Sequence, residues 1–215
     1  MLVTMHTIAD IPVPDSALAR EATALVRDTA GPLLFDHSCR VYLFGALQGR
    51  RRGLTYDAEL LYVAALFHDL GLTDGYRNSL QRFEIDGADA ARDFLLAHGS
   101  TAEAARRAWT AIALHTTPEI PARMEPEIAL VTAGVELDVL GIGYHDLTDA
   151  QRDAVVAAHP RPEFKTRILA AFTAGIAHRP HTTFGNVKAD VLHRFCPGFR
   201  RTDFVDIIEQ SPWKN

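Results

Sequence analysis

An all-α domain is the fold class this sequence predicts, on three observations. Alanine and leucine recur through the 215 residues at helical rather than alternating spacing. Runs of alternating Val, Ile and Thr bounded by turns, which would mark strands, are hard to find. Segment starts read as helix caps, since Ser100 with Glu103 and Thr148 with Gln151 both match the capping-box pattern.

The elements follow in order. Pro14-Asp15-Ser16 opens a first helix through about Asp28, which Gly31-Pro32 closes, and a second runs from about Phe35 to Gln48. Asp57 begins a third, whose Leu60, Leu61, Ala64, Ala65 and Leu66 make a wide buried face before Gly71, expected as a left-handed cap. Residues 72–82 read as a loop, with Asp74-Gly75 and Asn78-Ser79 as turn signals, placed to cover a pocket. A fourth helix spans about Glu84 to Leu96 and ends at Gly99, and a fifth runs from Ser100 to about His115. The stretch from Thr117-Pro118 to Pro126 holds three prolines and cannot be one helix. Helix resumes from about Glu127 to Leu140, stops at Gly141 and Gly143, and restarts after Thr148 until His159-Pro160-Arg161-Pro162. Further helices are expected over about 163–178, 187–195 and 203–209. One domain is expected over 1–215, with a core of about 30–145 and a C-terminal helical extension of about 146–215.

Composition narrows the partners. A chain of this length can bury roughly 70% of its unfolded surface and needs no staple. Net charge is −5 with ten histidines, so no basic footprint points to nucleic acid, and Arg50-Arg51-Arg52 reads as a solvated helix end. No run approaches the roughly 20 apolar residues of a membrane span. The first residues carry acids and prolines where a targeting leader would be basic and then apolar. Two distant cysteines, Cys39 and Cys196, do not form a disulfide framework, so a cytoplasmic setting is expected. The expected partner is a small molecule, and the apolar stretch Ile168 to Ile176 leaves room for a homo-oligomer.

The chemistry concentrates at His68-Asp69, at the end of LLYVAALFHDLGL. Two hard-to-bury groups at the edge of a buried helix call for a partner, and a metal ion is the simplest one. Neighbours on a helix diverge by about 100°, so both reach one ion only where the helix end skirts it. His37 in FDHSCR, His115 in ALHTT and Asp138 in GVELDVLG are the residues that could complete such a site. Imidazole nitrogens with carboxylate oxygens suit Zn, Fe, Mn, Co or Ni and lack the thiolates of a structural zinc site. Singly, each residue also fits a core or capping role. His178, His181 and His193 fit no common zinc spacing and are expected on a surface tail.

The order His37, His68-Asp69, Asp138 on an all-helical chain resembles the HD-domain superfamily of metal-dependent hydrolases. The strings FDHSCRVYLFG, AALFHDLGLT, RFEIDGADAARDFL, AIALHTT and GVELDVLGIG resemble its cyanamide hydratase-like branch, over about Phe35 to Gly143. The resemblance implies His37, His68, Asp69 and Asp138 as ligands of one divalent metal, with zinc the implied ion. It also implies hydroxide activated on that metal adding to a carbon–nitrogen triple bond, cyanamide giving urea. Asp69, His115 and Glu84 are candidates for proton traffic, Glu84 being equally suited to an N-terminal helix role. Thr116 and Thr117 are candidates to orient substrate through their hydroxyls. Two alternatives stay open: an HD phosphohydrolase with Arg77 or Arg82 as phosphate clamp, and a metal-pinned sensor without catalysis.

Overall fold

Helices account for nearly all the regular structure in the computed structural model, which describes residues 6–213. The exception is a hairpin of two short strands, β1 (Thr7–Ile8) and β2 (Ile11–Pro12), which the helix-only reading did not foresee. Its turn residues Ala9 and Asp10 sit at φ 50° and 61°, the left-handed pair of a type I′ turn.

Helix α1 (Ala17–Arg51) starts on the expected cap, the Ser16 hydroxyl accepting from the Ala19 N–H at 3.0 Å. The two helices expected here abut at a kink, where Gly31 takes φ 68°, ψ 169° before Pro32. Every residue from His37 to Gly49 is buried, because other helices surround this half of α1. Helix α2 (Ala58–Phe67) is capped by Asp57, whose carboxylate accepts from the Glu59 and Leu60 N–H groups at 3.0 Å. Helices α3 (Phe83–Ala97) and α4 (Ala102–Leu114) form a hairpin through Gly99 at φ 80°. The cap of α4 lies one residue beyond the expected Ser100: Thr101 accepts from the Ala104 N–H, and Glu103 turns away to pair with Arg106.

Helix α5 (Pro126–Val135) begins with proline at its first position and passes into a π-helical turn, Glu136–Leu140, where a continuous α-helix was expected. It lies unusually close to α1: a Cβ on Gly134 would stand 2.1 Å from the Val41 carbonyl oxygen, and one on Gly45 would stand 2.6 Å from that of Leu130. Gly71 likewise serves close approach, not a left-handed cap. It lies in a 3₁₀ turn, and a Cβ there would stand 2.1 Å from the Phe83 carbonyl oxygen.

Helix α6 (Asp149–Ala158) carries the expected Thr148–Gln151 capping box. Helices α7 (Phe164–Ile176), α8 (Lys188–Phe195) and α9 (Phe204–Glu209) complete the chain. Phe164, Ile168, Ile176 and Leu192 build a second apolar cluster with Leu34, Leu72 and Phe83. The fully buried Arg179 fastens this layer, donating to the carbonyls of Gly71 (2.6 Å) and Gln81 (2.8 Å) and pairing with Asp86. Arg179 thereby ties the two ends of the segment between α2 and α3, at Gly71 and Gln81, to the extension, while Asp74, Gly75, Arg77, Asn78 and Leu80 between them stay exposed. Among the described residues no helix is long and apolar enough to cross a membrane, and both cysteines are free thiols.

Candidate metal centre

His68 and Asp69 occupy the end of α2, as C-cap and the residue after it. His68 keeps helical dihedrals, while Asp69 moves to φ −101°, ψ 7°, so the chain bends around a point both side chains face. His115 holds the equivalent place at the end of α4, and His37 lies within the buried half of α1. His37 Nε2 stands 3.2 Å from His68 Nε2 and 3.5 Å from Asp69 Oδ2, and His68 Nε2 stands 3.4 Å from that oxygen. His115 Nε2 approaches the other carboxylate oxygen at 3.6 Å. All four side chains are buried.

The ring tautomers decide what these atoms can do. His68 Nδ1 lies 2.7 Å from the Ala65 carbonyl and His115 Nδ1 lies 2.6 Å from that of Ile112, each three residues back along its own helix. A carbonyl only accepts, so each Nδ1 carries the proton and each Nε2 is left as a bare lone pair. His37 Nδ1 lies 2.7 Å from Asp138 Oδ2, which imposes the same tautomer. Three imidazole lone pairs and a carboxylate thus converge, and neither Asp69 oxygen nor His115 Nε2 has a hydrogen-bond partner. Such a group is unfavourable in a low-dielectric interior unless positive charge enters it. Bond lengths of 2.0–2.2 Å put neighbouring ligand atoms about 3.0–3.5 Å apart, and the His37, His68 and Asp69 atoms already have that spacing.

Comparison with family models matches the HD domain over residues 34–153, more than half of the 215 residues. The chain is an HD-domain protein. No curated protein matches it in sequence. HD domains are generally metal-dependent hydrolases, and a His-His-Asp group that could hold a metal lies inside the matched segment.

Electrostatics in this HD domain favour a cation. Burial lowers the pKa of His37 and outweighs the opposing pull of Asp138. Burial acts the same way on His68, but the charge of Asp69 prevails and raises it. Burial opposes the charge of Asp69 too, yet His68 and His115 hold its carboxyl well below the ordinary range. The raised proton affinity at His68 and the stable Asp69 anion express one demand, for positive charge between them.

Asp138 stands apart from the three-residue group. It is carried by the π turn to the far side of the His37 ring, and its oxygens accept from Arg40 Nε and Nη2 at 2.9 Å and pair with Arg161 at 3.0 Å. These partners, against the cost of burial, keep its carboxyl below the ordinary range. Glu84 is also outside the ring of donors: its Oε1 accepts from Thr116 (2.6 Å) and Arg82 (2.8 Å) and pairs with Lys188. Burial opposes its charge, but Arg82 and Lys188 bring its pKa down to about 2.

A cavity of about 160 Å³ opens onto His37, His68, Asp69 and His115. Thr116 and Thr117 line it, with Val135, Val139, Leu140, Phe172 and Val187 as apolar wall. No residue of 72–82 lines it, so its cover comes from α7 and the segment before α8. His178, His181 and His193 are exposed, as expected, and line no part of this cavity.

The sequence reading missed Arg40, Arg161, Phe164, Phe172, Arg179 and Lys188. Arg40 had a usable signal, lying three residues after His37 and so on the same helical face. Lys188 had a weaker one, the i, i+4 spacing to buried Leu192. The others gave none, because their contacts are made across other elements: Arg161 with Asp138, Phe164 with His37, Phe172 with Phe83 and Arg179 with Gln81.

Proposed function

We propose that this HD-domain protein binds one divalent metal, zinc fitting best, through His37, His68 and Asp69, and adds water to a small uncharged carbon–nitrogen multiple bond such as that of cyanamide or a nitrile. The carrying observation is the cavity: at about 160 Å³ it admits only a small molecule, and neither Lys nor Arg lines it. A phosphate ester would need such a cation to offset its charge. The strings around RFEIDGADAAR, similar to the cyanamide hydratase-like branch, support the same choice.

A metal at these donors supplies a Lewis acid that lowers the pKa of water from about 15.7 toward 7. The chain's own residues do the rest. His115 Nε2, bare and aimed at the site, takes a proton from the attacking water while Nδ1–H stays on the Ile112 carbonyl. A carbon–oxygen bond forms as one π bond of the nitrile moves to its nitrogen, and that nitrogen receives the proton from His115. Tautomerisation gives the amide, which is urea when cyanamide reacts. Asp138, with Arg40 and Arg161, keeps the Nε2 of His37 turned inward. The apolar wall of Phe172, Val139 and Val187 excludes bulk water.

A second reading, hydrolysis of a phosphomonoester, has one observation in its favour. A neighbouring cavity of about 350 Å³ contains Arg82 and shares Thr116 and Thr117. Arg77, the other suggested clamp, is exposed and paired with Asp74. Metal-loaded protein incubated with cyanamide and with a nucleotide panel separates the readings: urea is expected, and phosphate release without urea would overturn the hydration reading. His68→Ala is expected to lose the metal on elemental analysis, whereas His115→Ala retains it and loses turnover.

A further inference from the structure

Lys188 comes from α8, beyond the matched HD segment, yet it is wholly buried and its ammonium rests on Glu84. A buried lysine is costly unless it secures something. What it secures is an oxygen with three donors: Glu84 Oε1 faces Lys188 Nζ, Arg82 Nη2 at 2.8 Å and Thr116 Oγ1 at 2.6 Å. With two cations on it, Glu84 stays a carboxylate, and a carboxylate offers no proton. The Thr116 hydroxyl must therefore spend its single hydrogen on Glu84. Thr116 also lines the cavity beside His115, and toward that cavity its oxygen has lone pairs only.

We propose that Lys188 and Glu84 fix Thr116 as a hydrogen-bond acceptor, so that the site selects substrates bearing an N–H beside the reacting carbon. This rests on the hydration reading and sharpens it: an aminonitrile satisfies the acceptor, whereas a simple nitrile or an N,N-dialkyl analogue leaves it unpaired. Thr116 is then a specificity determinant in contact with substrate. Lys188 and Glu84 are positioning residues that act through it.

The test uses zinc-loaded full-length protein, with cyanamide and N,N-dimethylcyanamide compared both in binding by titration calorimetry and in turnover by urea or dimethylurea release. A site built around one hydrogen bond discriminates against a ligand lacking its partner, so wild type and Thr116→Ser are expected to prefer cyanamide by about tenfold or more. Thr116→Val, of nearly the same shape, is expected to lose that preference, chiefly through a raised KM for cyanamide. Lys188→Met frees Glu84 to accept a proton and Thr116 to turn, and is expected to reduce the preference in the same direction. Where that variant melts below the assay temperature, the Thr116 pair carries the test. A preference that survives Thr116→Val, equal affinity for both compounds in wild type, or binding of neither overturns the proposal. Preferential binding of cyanamide that vanishes in Thr116→Val, with no urea formed by wild type, sustains it and overturns the hydration reading instead.

Discussion

At the scale of single residues, the histidine tautomers carry most of the meaning. His68 and His115 are fixed by carbonyls of their own helices, so their bare Nε2 atoms are products of local geometry. His37 has no such carbonyl and depends on Asp138, 101 residues away. Asp138→Asn is expected to weaken metal binding about 10–100-fold, because an amide holds the ring without the charge. Competition against a chromophoric chelator measures it. Loss as complete as that of His68→Ala would make Asp138 a ligand in its own right, and unchanged affinity would deny it any hold on His37. Glu84 is legible as a chemical group but not as a partner of Thr116, since its helix-start position is equally that of a capping acid.

At the scale of elements, the pairing of α1 with α5 sets the distance between His37 and Asp138. Gly134 permits it, and Gly134→Ala would drive a methyl group against the Val41 carbonyl. An overpacking cost of about 1–3 kcal/mol is expected, seen as a lower urea midpoint together with weaker metal binding. Gly75→Ala, with nothing nearer than 3.9 Å, is the control and should leave both unchanged. The helix spans were readable because caps and breakers act within a few residues: Asp57, Thr148 and Gly99 all mark real boundaries. The π turn at Glu136–Leu140 was not, because a π turn has the same apolar pattern as the helix it interrupts. The tie between the ends of the segment joining α2 to α3, at Gly71 and Gln81, was not readable either, since its agent is Arg179, far along the chain.

For the whole molecule, stability and metal occupancy are separable. The apolar clusters do not include the metal-binding group, so chelation is expected to lower the melting temperature while far-UV circular dichroism remains helical. Unfolding on chelation would favour a metal-pinned module. The buried Glu84–Lys188 pair is expected to make the metal-free protein acid-labile. Glu84 falls from an ordinary 4.5 to about 2 in the fold, so its contribution is fully present above pH 4.5 and is lost as pH falls through 2. That contribution is on the order of 3 kcal/mol. Urea midpoints at pH 3 and pH 6 should therefore differ more in wild type than in the Glu84→Gln, Lys188→Met double variant; equal differences would show that the pair is not the source. The sequence by itself determined the all-α class, most helix boundaries and the adjacency of His68 and Asp69, because propensity, capping and helical period are local. Only the tertiary structure decided which nitrogen His37 turns inward, where Asp138 sits, and that Lys188 reaches Glu84 across 104 residues. Such contacts form only when distant helices pack, and no pattern within either segment encodes the distance between them.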